Sequence, residues 1–133
     1  MIMRRLAKTN ALATQIRGVR MNDAVIPEKS VDKEMRRIKV LPGGIKIMHD
    51  EAVFRILRLE SIRAPMANMI KEEMLAVGGD AAVHWRTISC KVKTTDVILF
   101  GTLHQYKRFI QKMNIQPYNA KEIAARAQKL LGI

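Results

Sequence analysis

A continuous apolar run, Val-Ile-Leu-Phe at positions 97–100, constrains the fold of this chain more than any other stretch. Asp96 precedes the run, and Gly101-Thr102 closes it. A short apolar run between turn residues is typical of a strand covered on both faces, as in a parallel sheet. The Thr102 hydroxyl can also cap the free amides of a helix over 103–113. The sequence therefore predicts a buried strand that leads directly into a helix.

A second helix, over 66–77, is predicted upstream of this strand, because its apolar residues recur at helical spacing. Pro65 suits its first turn, where a missing amide hydrogen costs nothing. Gly78 can adopt the left-handed conformation that ends a helix, and Gly79 adds freedom to turn into the next element. The two glycines thus predict a tight turn between this helix and a strand.

The remaining stretches predict an alternation of helices and short strands. Helices are predicted over 31–38, 52–60 and 120–131, and strands over 45–48, 81–85 and 88–92. Asn119 and Glu122 have the spacing of a capping box for the last helix, which Gly132 would end. The fold class predicted is α/β: a single domain over 31–133, with a small, mostly parallel or mixed sheet of three to four strands and helices packed on it.

Residues 1–30 lack this patterning and are interpreted as a basic amino-terminal arm. Asp23 is the first acidic residue, and unopposed cations precede it: Arg4, Arg5, Lys8, Arg17 and Arg20. Such a terminus commonly becomes ordered only where it contacts the core. A stretch rich in arginine and free of acids also resembles an organelle transit peptide, and a nucleic-acid-binding arm is the third alternative.

The formal net charge of the whole chain is +12, so nucleic acid, an acidic protein or an anionic membrane surface could be attracted to it. Lys91 and Lys93 are placed on one strand, and Lys107 and Arg108 on the following helix, which predicts a basic patch unless these residues form an ordinary solvated face. Aromatic residues make up only 5% of the chain, whereas readers of single strands expose them. Binding of RNA or DNA is therefore the alternative function.

The single cysteine, Cys90, rules out an internal disulfide and favours a reducing, cytoplasmic setting. No apolar run approaches the roughly 18 residues that a membrane span needs. His84, Cys90 and His104 match no standard zinc spacing, so we expect no metal and no cofactor. A small enzyme that uses His84 and Cys90 for covalent catalysis remains a third class of function.

The two glycine turns mark the candidate ligand site. Strands end and helices begin there, and free amides at a helix start can bind an anionic group. The candidate residues are Gly78, Gly79, Asp80, His84, Gly101 and Thr102. Neither a dinucleotide fingerprint nor a P-loop occurs, so Gly78 as a helix stop and Thr102 as a cap are the competing structural interpretation.

Four segments carry a resemblance to a known family. They are Pro-Gly-Gly-Ile-Lys-Ile-Met at 42–48, Ala-Val-Phe-Arg at 52–55, Ile70 through His84, and Asp96 through Thr102 with Gln105-Tyr106. In order and spacing, over about residues 38–131, they resemble the amino-terminal extension found ahead of the catalytic barrel in some bacterial dihydropteroate synthases and related proteins. Trp85 and the long basic front depart from that pattern.

This resemblance implies a link to pterin and folate metabolism without the family's activity, because the chain has no room for the pterin-binding barrel. We therefore expect a noncatalytic accessory or docking domain. Its expected partner is a barrel-type pterin enzyme or a larger assembly, and a homo-oligomer is a further expectation.

Overall fold

The computed structural model describes residues 22–133, which fall into two compact units divided between Lys39 and Val40. In the first unit, a 3-10 turn at Glu28–Ser30 precedes helix α1, Val31–Arg37. An ion pair of 2.7 Å between Arg37 Nε and Glu34 Oε2 lies along this helix. The helix predicted over 31–38 is thereby confirmed, whereas most of the predicted arm lies outside the described residues.

The second unit has a three-stranded sheet with helices packed on it, so the α/β class is confirmed. Its elements, in chain order, are α2 (Pro42–Ala52), β1 (Phe54–Arg63), α3 (Ala64–Ala76), β2 (Asp80–Ala82), β3 (Thr94–Thr102), α4 (Leu103–Met113) and α5 (Ala120–Leu131). The strand order is β1-β3-β2, and both pairs are antiparallel. The sheet is therefore not the mostly parallel or mixed one expected.

The burial of β3 is typical of the antiparallel arrangement. Its residues alternate, with Val97 and Leu99 fully buried and Asp96 and Ile98 exposed. Antiparallel sheets commonly have one face packed on the core and one left open, whereas parallel sheets are covered on both. The strand predicted at the apolar run is thus confirmed, but the prediction that both of its faces are covered is wrong.

Residues 42–60 form a helix followed by a strand, whereas the sequence predicted a strand followed by a helix. The stretch 45–48 lies in α2 and not in a strand, because Pro42 starts the helix and does not break it, and the Ile45 amide donates to Leu41 O. The stretch predicted as a helix over 52–60 is mostly strand β1. Its Leu57 and Leu59 are buried while Arg58 is exposed, the alternation of a half-covered strand.

A β-bulge interrupts the pairing of β1 with β3. Leu59 pairs with Val97 and Ile62 with Thr95, so two residues of β1 face one of β3. Ser61, one of the two, has a φ of 55°, and its amide donates to Asp96 Oδ1 at 3.0 Å. The bulge returns Ile62 to the covered face, where it is only 3% exposed.

Helices α3, α4 and α5 cover one face of the sheet, not both faces as the apolar run had suggested. They contribute buried side chains from three apolar stripes: Ala67, Ile70, Met74, Tyr106, Phe109, Met113, Ile123 and Ala127. Gly132 ends α5 with a φ of 71°, as predicted, but the Asn119 side chain makes no capping hydrogen bond. The capping box predicted for α5 is therefore wrong.

The segment between β2 and β3 is a turn-rich loop. The strand predicted over 88–92 does not form, and the one predicted over 81–85 is limited to Asp80–Ala82. The Thr87 amide donates to His84 O, and the Cys90 amide donates to Thr87 O. The side-chain amide of Asn68, on α3, donates to Thr87 O at 2.9 Å. These hydrogen bonds occupy backbone groups that a strand would need for pairing, so no strand forms here. We name residues 84–91 the 84–91 loop.

Candidate functional site

The turn after α3 meets the start of α4, as the sequence suggested. Gly78 has a φ of 92°, and Asp80 pairs with Phe100, next to Gly101. A Cβ atom added to Gly79 would lie 2.5 Å from Met74 Cε and 2.7 Å from Phe100 O. The glycines at this junction thus allow a close approach of the turn to β3.

The amides at this junction are largely bonded within the protein. Thr102 Oγ1 accepts from the Gln105 amide at 3.2 Å, and Gln105 Oε1 accepts from the Thr102 amide at 2.9 Å. The Leu103 amide donates to Val53 O at 2.7 Å. This capping box confirms Thr102 as the helix cap and leaves few donors for an anion. Ligand binding by Gly78, Gly79, Asp80, Gly101 and Thr102 stays a prediction.

His84 lies away from these glycines. Its amide donates to Thr95 Oγ1 at 3.1 Å, near the start of β3, whereas Gly101 lies six residues further along that strand. Six strand residues span roughly 20 Å. His104 follows the distant end of β3, so it does not meet His84 and Cys90. In the described part of the chain, no three His, Cys, Asp or Glu residues are arranged to hold a metal ion.

The 84–91 loop exposes an aromatic and basic cluster. The rings of His84 and Trp85 stack with centroids 6.0 Å apart, and Arg86 Cζ lies 4.6 Å from the Trp85 ring centroid. The Arg86 amide donates to His84 Nδ1 at 3.0 Å. Trp85 is 77% exposed and Ile88 85%. The loop thus presents large side chains to solvent from a backbone held by hydrogen bonds.

The predicted basic patch is divided between two places. Lys91 and Lys93 lie in or beside the 84–91 loop and not on a strand, because β3 begins only at Thr94. Lys107 lies in α4, which begins where β3 ends, and its Nζ is 2.7 Å from Asp50 Oδ2. Arg108 follows on the same helix and is exposed. Five candidate residues lie outside the described residues: Arg4, Arg5, Lys8, Arg17 and Arg20.

The sheet leaves its second face, which we name the open face, to solvent. Its apolar residues are Phe54, Ile56, Ile98 and Phe100, of which the first three are 51%, 61% and 39% exposed. Arg58 and Asp80, which pair with Ile98 and Phe100, share this face. Ile56 pairs with Phe100 across β1 and β3, so the apolar side chains are contiguous. An ion pair of 3.2 Å between Arg58 and Glu60 borders them. This face was not predicted, because residues 52–60 were assigned to a helix. The alternation of apolar and charged residues from Leu57 to Glu60 was the signal that could have indicated a strand with one open face.

A buried tyrosine ties α4 to the edge of the sheet. The Tyr106 hydroxyl donates to Arg55 O at 2.8 Å, and the side chain is fully buried. Burial raises the pKa of Tyr106 above its usual range, because the phenolate would lose its hydration. Tyr106 therefore stabilises the fold as a neutral hydrogen-bond donor.

Two surface hollows lie in the second unit. One of about 350 Å³ is lined by Arg63, Pro65, Met66, Met69, Tyr118 and Asn119. The other, of about 400 Å³, is lined by Trp85, Arg86, Ile88, Ser89 and Lys91. Each hollow has an exposed aromatic side chain and at least one cation in its wall, although neither includes the glycine junction.

Curated relatives connect the chain to folate enzymes. It is 29% identical to a probable bifunctional folylpolyglutamate synthase/dihydropteroate synthase of Halobacterium salinarum, over 74% of this chain and 12% of that protein. A probable bifunctional folylpolyglutamate synthase/dihydropteroate synthase of Haloferax volcanii is 33% identical over 54% of this chain and 8% of its own length. A bifunctional dihydropteroate synthase/dihydropteroate reductase of Helicobacter pylori is 29% identical over 58% and 20%.

The chain thus spans a fifth or less of each of these relatives. No family model and no solved structure matches it. The similarity supports a segment related to dihydropteroate synthase proteins, and the expected position ahead of a barrel stays a prediction. Within residues 22–133, every helix is too short or too polar to cross a membrane.

Proposed function

We propose that this chain is a noncatalytic accessory domain of folate metabolism that docks a larger partner through the open face. The observation that carries the proposal is the contiguous exposed apolar surface that Phe54, Ile56 and Ile98 form with Phe100 on the open face. Contiguous exposed apolar patches mark interaction sites more often than scattered single residues do. Its similarity to a small part of much longer folate enzymes supports a partner from that class.

The composition of the open face suits a protein interface. Phe54 and Ile56 supply the apolar centre, and the paired charges of Arg58 and Glu60 form a polar border. An apolar core with a polar rim is the usual anatomy of such interfaces. The partner we propose is a barrel-type dihydropteroate synthase of the same organism, and a cytoplasmic location belongs to the proposal.

The separation of the reactive side chains supports the noncatalytic part of the proposal. Cys90 lies in the 84–91 loop, and its Sγ is 3.8 Å from Asn68 Nδ2. His104 lies at the other end of β3, in the first turn of α4. A nucleophile and its base must lie within hydrogen-bond distance of each other, so His104 cannot serve Cys90. The predicted pair, His84 and Cys90, shares the 84–91 loop, but His84 Nδ1 accepts from the Arg86 amide and Cys90 Sγ faces Asn68 Nδ2, so the two are not hydrogen-bonded to each other.

Size-exclusion chromatography with light scattering tests the proposal. The full chain is mixed with the dihydropteroate synthase of the same organism, and we expect a complex. The double variant Ile56→Asp/Ile98→Asp should abolish it, because two carboxylates would be buried in an apolar interface. Ile47→Asp/Ile115→Asp is the matched control, since both residues are exposed and lie off the open face.

Four outcomes would contradict the proposal. The wild-type chain and the synthase could elute separately at every concentration, or the open-face variant could bind as well as the control. The chain could also form a homodimer and fail to bind the synthase. If the open-face variant abolished that homodimer, the partner at the open face would be a second copy of this chain. Formation of dihydropteroate by the purified chain alone would refute the noncatalytic assignment.

A further inference from the structure

We propose that a second surface of this chain, formed by the 84–91 loop and the start of α3, binds single-stranded nucleic acid. The observation is a pairing of an exposed aromatic side chain with a cation, repeated in two neighbouring hollows. No residue of this surface belongs to the open face, so the proposal stands independently of the docking function.

The first hollow is built around Trp85. The His84 ring stacks on Trp85, the Arg86 guanidinium lies over the indole, and Lys91 completes the wall. Bases stack on aromatic side chains and on arginine planes, while nearby cations contact the phosphates. Trp85 is 77% exposed, so these groups are accessible from solvent. This hollow thus offers both a stacking platform and a phosphate contact.

The second hollow repeats this chemistry with different residues. Tyr118 is 89% exposed, and Arg63 supplies the cation in the same wall. Met66 and Met69 give the hollow an apolar floor, which suits the face of a base. The two hollows have similar volumes, about 350 and 400 Å³.

The second hollow is lined by residues of α3, and the 84–91 loop that lines the first is hydrogen-bonded to the same helix. The Asn68 side chain bonds Thr87 O in the 84–91 loop, while its neighbour Met69 lines the second hollow. The Ala64 amide donates to Lys93 O at 3.1 Å, and Arg63 pairs with Thr94. The basic residues of the loop and Arg63 therefore lie at one end of the sheet, where successive nucleotides of one strand can reach both hollows.

The charge of this end favours a polyanion. The sequence from Ala81 to Thr95 contains Arg86, Lys91 and Lys93 and no acidic residue. An anionic membrane would be a competing occupant, but Trp85 could insert only by carrying the Arg86 guanidinium, 4.6 Å from its ring, into the hydrocarbon. A strand of nucleic acid uses the same guanidinium as a contact.

Trp85 is the only tryptophan of the chain, so its fluorescence reports directly on the first hollow. The full chain is titrated with a single-stranded oligo(dT), and binding is also followed by anisotropy of a labelled oligonucleotide. We expect quenching of the Trp85 fluorescence that saturates with the anisotropy. Trp85→Ala should weaken the binding measured by anisotropy about tenfold.

Charge reversal tests the cations against a matched control. Lys91→Glu/Lys93→Glu should weaken oligo(dT) binding at least tenfold and lower the magnitude of the slope of log affinity against log salt by about 1.4, since two phosphate contacts are lost. Lys46→Glu/Lys129→Glu makes the same change in net charge at exposed positions elsewhere and should cost much less. Circular dichroism checks that all variants keep the wild-type helix content.

Four results would overturn the proposal. They are unchanged Trp85 fluorescence on binding, equal losses in the two charge-reversal variants, equal affinity for a duplex of the same length, and binding to phosphatidylserine vesicles without binding to oligo(dT). The last would assign the surface to an anionic membrane.

Discussion

The two faces of the sheet carry similar apolar side chains in opposite surroundings. Leu99 is fully buried under the helices, whereas its neighbour Ile98, on the same strand, is 39% exposed on the open face. Since consecutive strand residues point to opposite faces, one strand supplies both surfaces. The covered face therefore determines stability, and the open face is available for recognition without a large cost to folding.

The largest predicted difference in stability is between alanine substitutions at Leu99 and at Ile98. Leu99→Ala should lower the free energy of unfolding by about 3 kcal/mol, since it leaves a cavity in a closed core. Ile98→Ala should cost under about 1 kcal/mol, because much of the side chain is already in water. Urea unfolding of both variants measures the difference. Equal losses would break the comparison, because they would mean that the open face is covered in solution.

The second effect tests how tightly the covered side is packed. Gly79→Ala should cost about 2 kcal/mol, because the added methyl group meets Met74 Cε and the Phe100 carbonyl. Gly43→Ala is the matched control in α2, where nothing lies within 4 Å of the added atom. It should gain up to about 1 kcal/mol from the higher helix propensity of alanine. A Gly79→Ala protein as stable as the wild type would show that Met74 can move aside.

The third effect on stability concerns the buried hydroxyl of Tyr106 in α4. Tyr106→Phe should cost about 1.5 kcal/mol at neutral pH, because the Arg55 carbonyl loses its donor. Tyr118→Phe alters an exposed hydroxyl and should change little. Thermal unfolding of the two variants beside the wild type measures this contrast.

The same tyrosine predicts a dependence on alkaline pH. Because burial raises its pKa in the folded state, the contribution of Tyr106 to stability is complete below its ordinary pKa of about 10. Above that pH the unfolded chain releases the proton first, and the contribution is lost as the pH rises toward the folded pKa. The stability gap between wild type and Tyr106→Phe should therefore narrow above pH about 10. A constant gap would contradict the burial.

The smallest effect compares how two of the covering helices begin. Thr102→Ala removes a capping box that has hydrogen bonds in both directions and should cost about 1 kcal/mol. Asn119→Ala removes a side chain that makes no capping bond, so the change should stay within about 0.5 kcal/mol. A larger loss for Asn119→Ala would show that its side chain caps α5 in solution.

Local chemistry was sufficient to predict several element ends. Pro65 and Thr102 lie at the starts of helices, and Gly78 and Gly132 lie at their ends. These roles were predictable because each depends only on the residue's own backbone conformation or on a hydrogen bond within one turn. The meeting of the Gly78 turn with Gly101 also followed from the sequence, since both flank predicted strand ends.

The exchange of helix and strand over 42–60 had a local cause as well. A proline followed by glycines is compatible with a break and with a first helical turn, and tertiary contacts choose between them. Over residues 53–59, Val53, Ile56 and Leu57 fit helical spacing while Leu57 and Leu59 fit a strand. The sheet with β3 decides in favour of the strand.

Strand direction and the two proposed surfaces could not be predicted from local sequence. They depend on pairings between distant positions: Ile56 with Phe100 on the open face, and Arg63 with Tyr118 in the second hollow. No spacing rule within one segment relates residues so far apart in the chain.

The edges of the sheet limit how copies of this unit can assemble. On β1, the carbonyl of Glu60 accepts a bond from Arg126, and on β2 the carbonyl of Ala81 accepts one from Lys71. A strand of a second molecule would have to displace these donors before it could extend the ladder. Growth into ribbons or fibrils through pairing at these positions is therefore disfavoured.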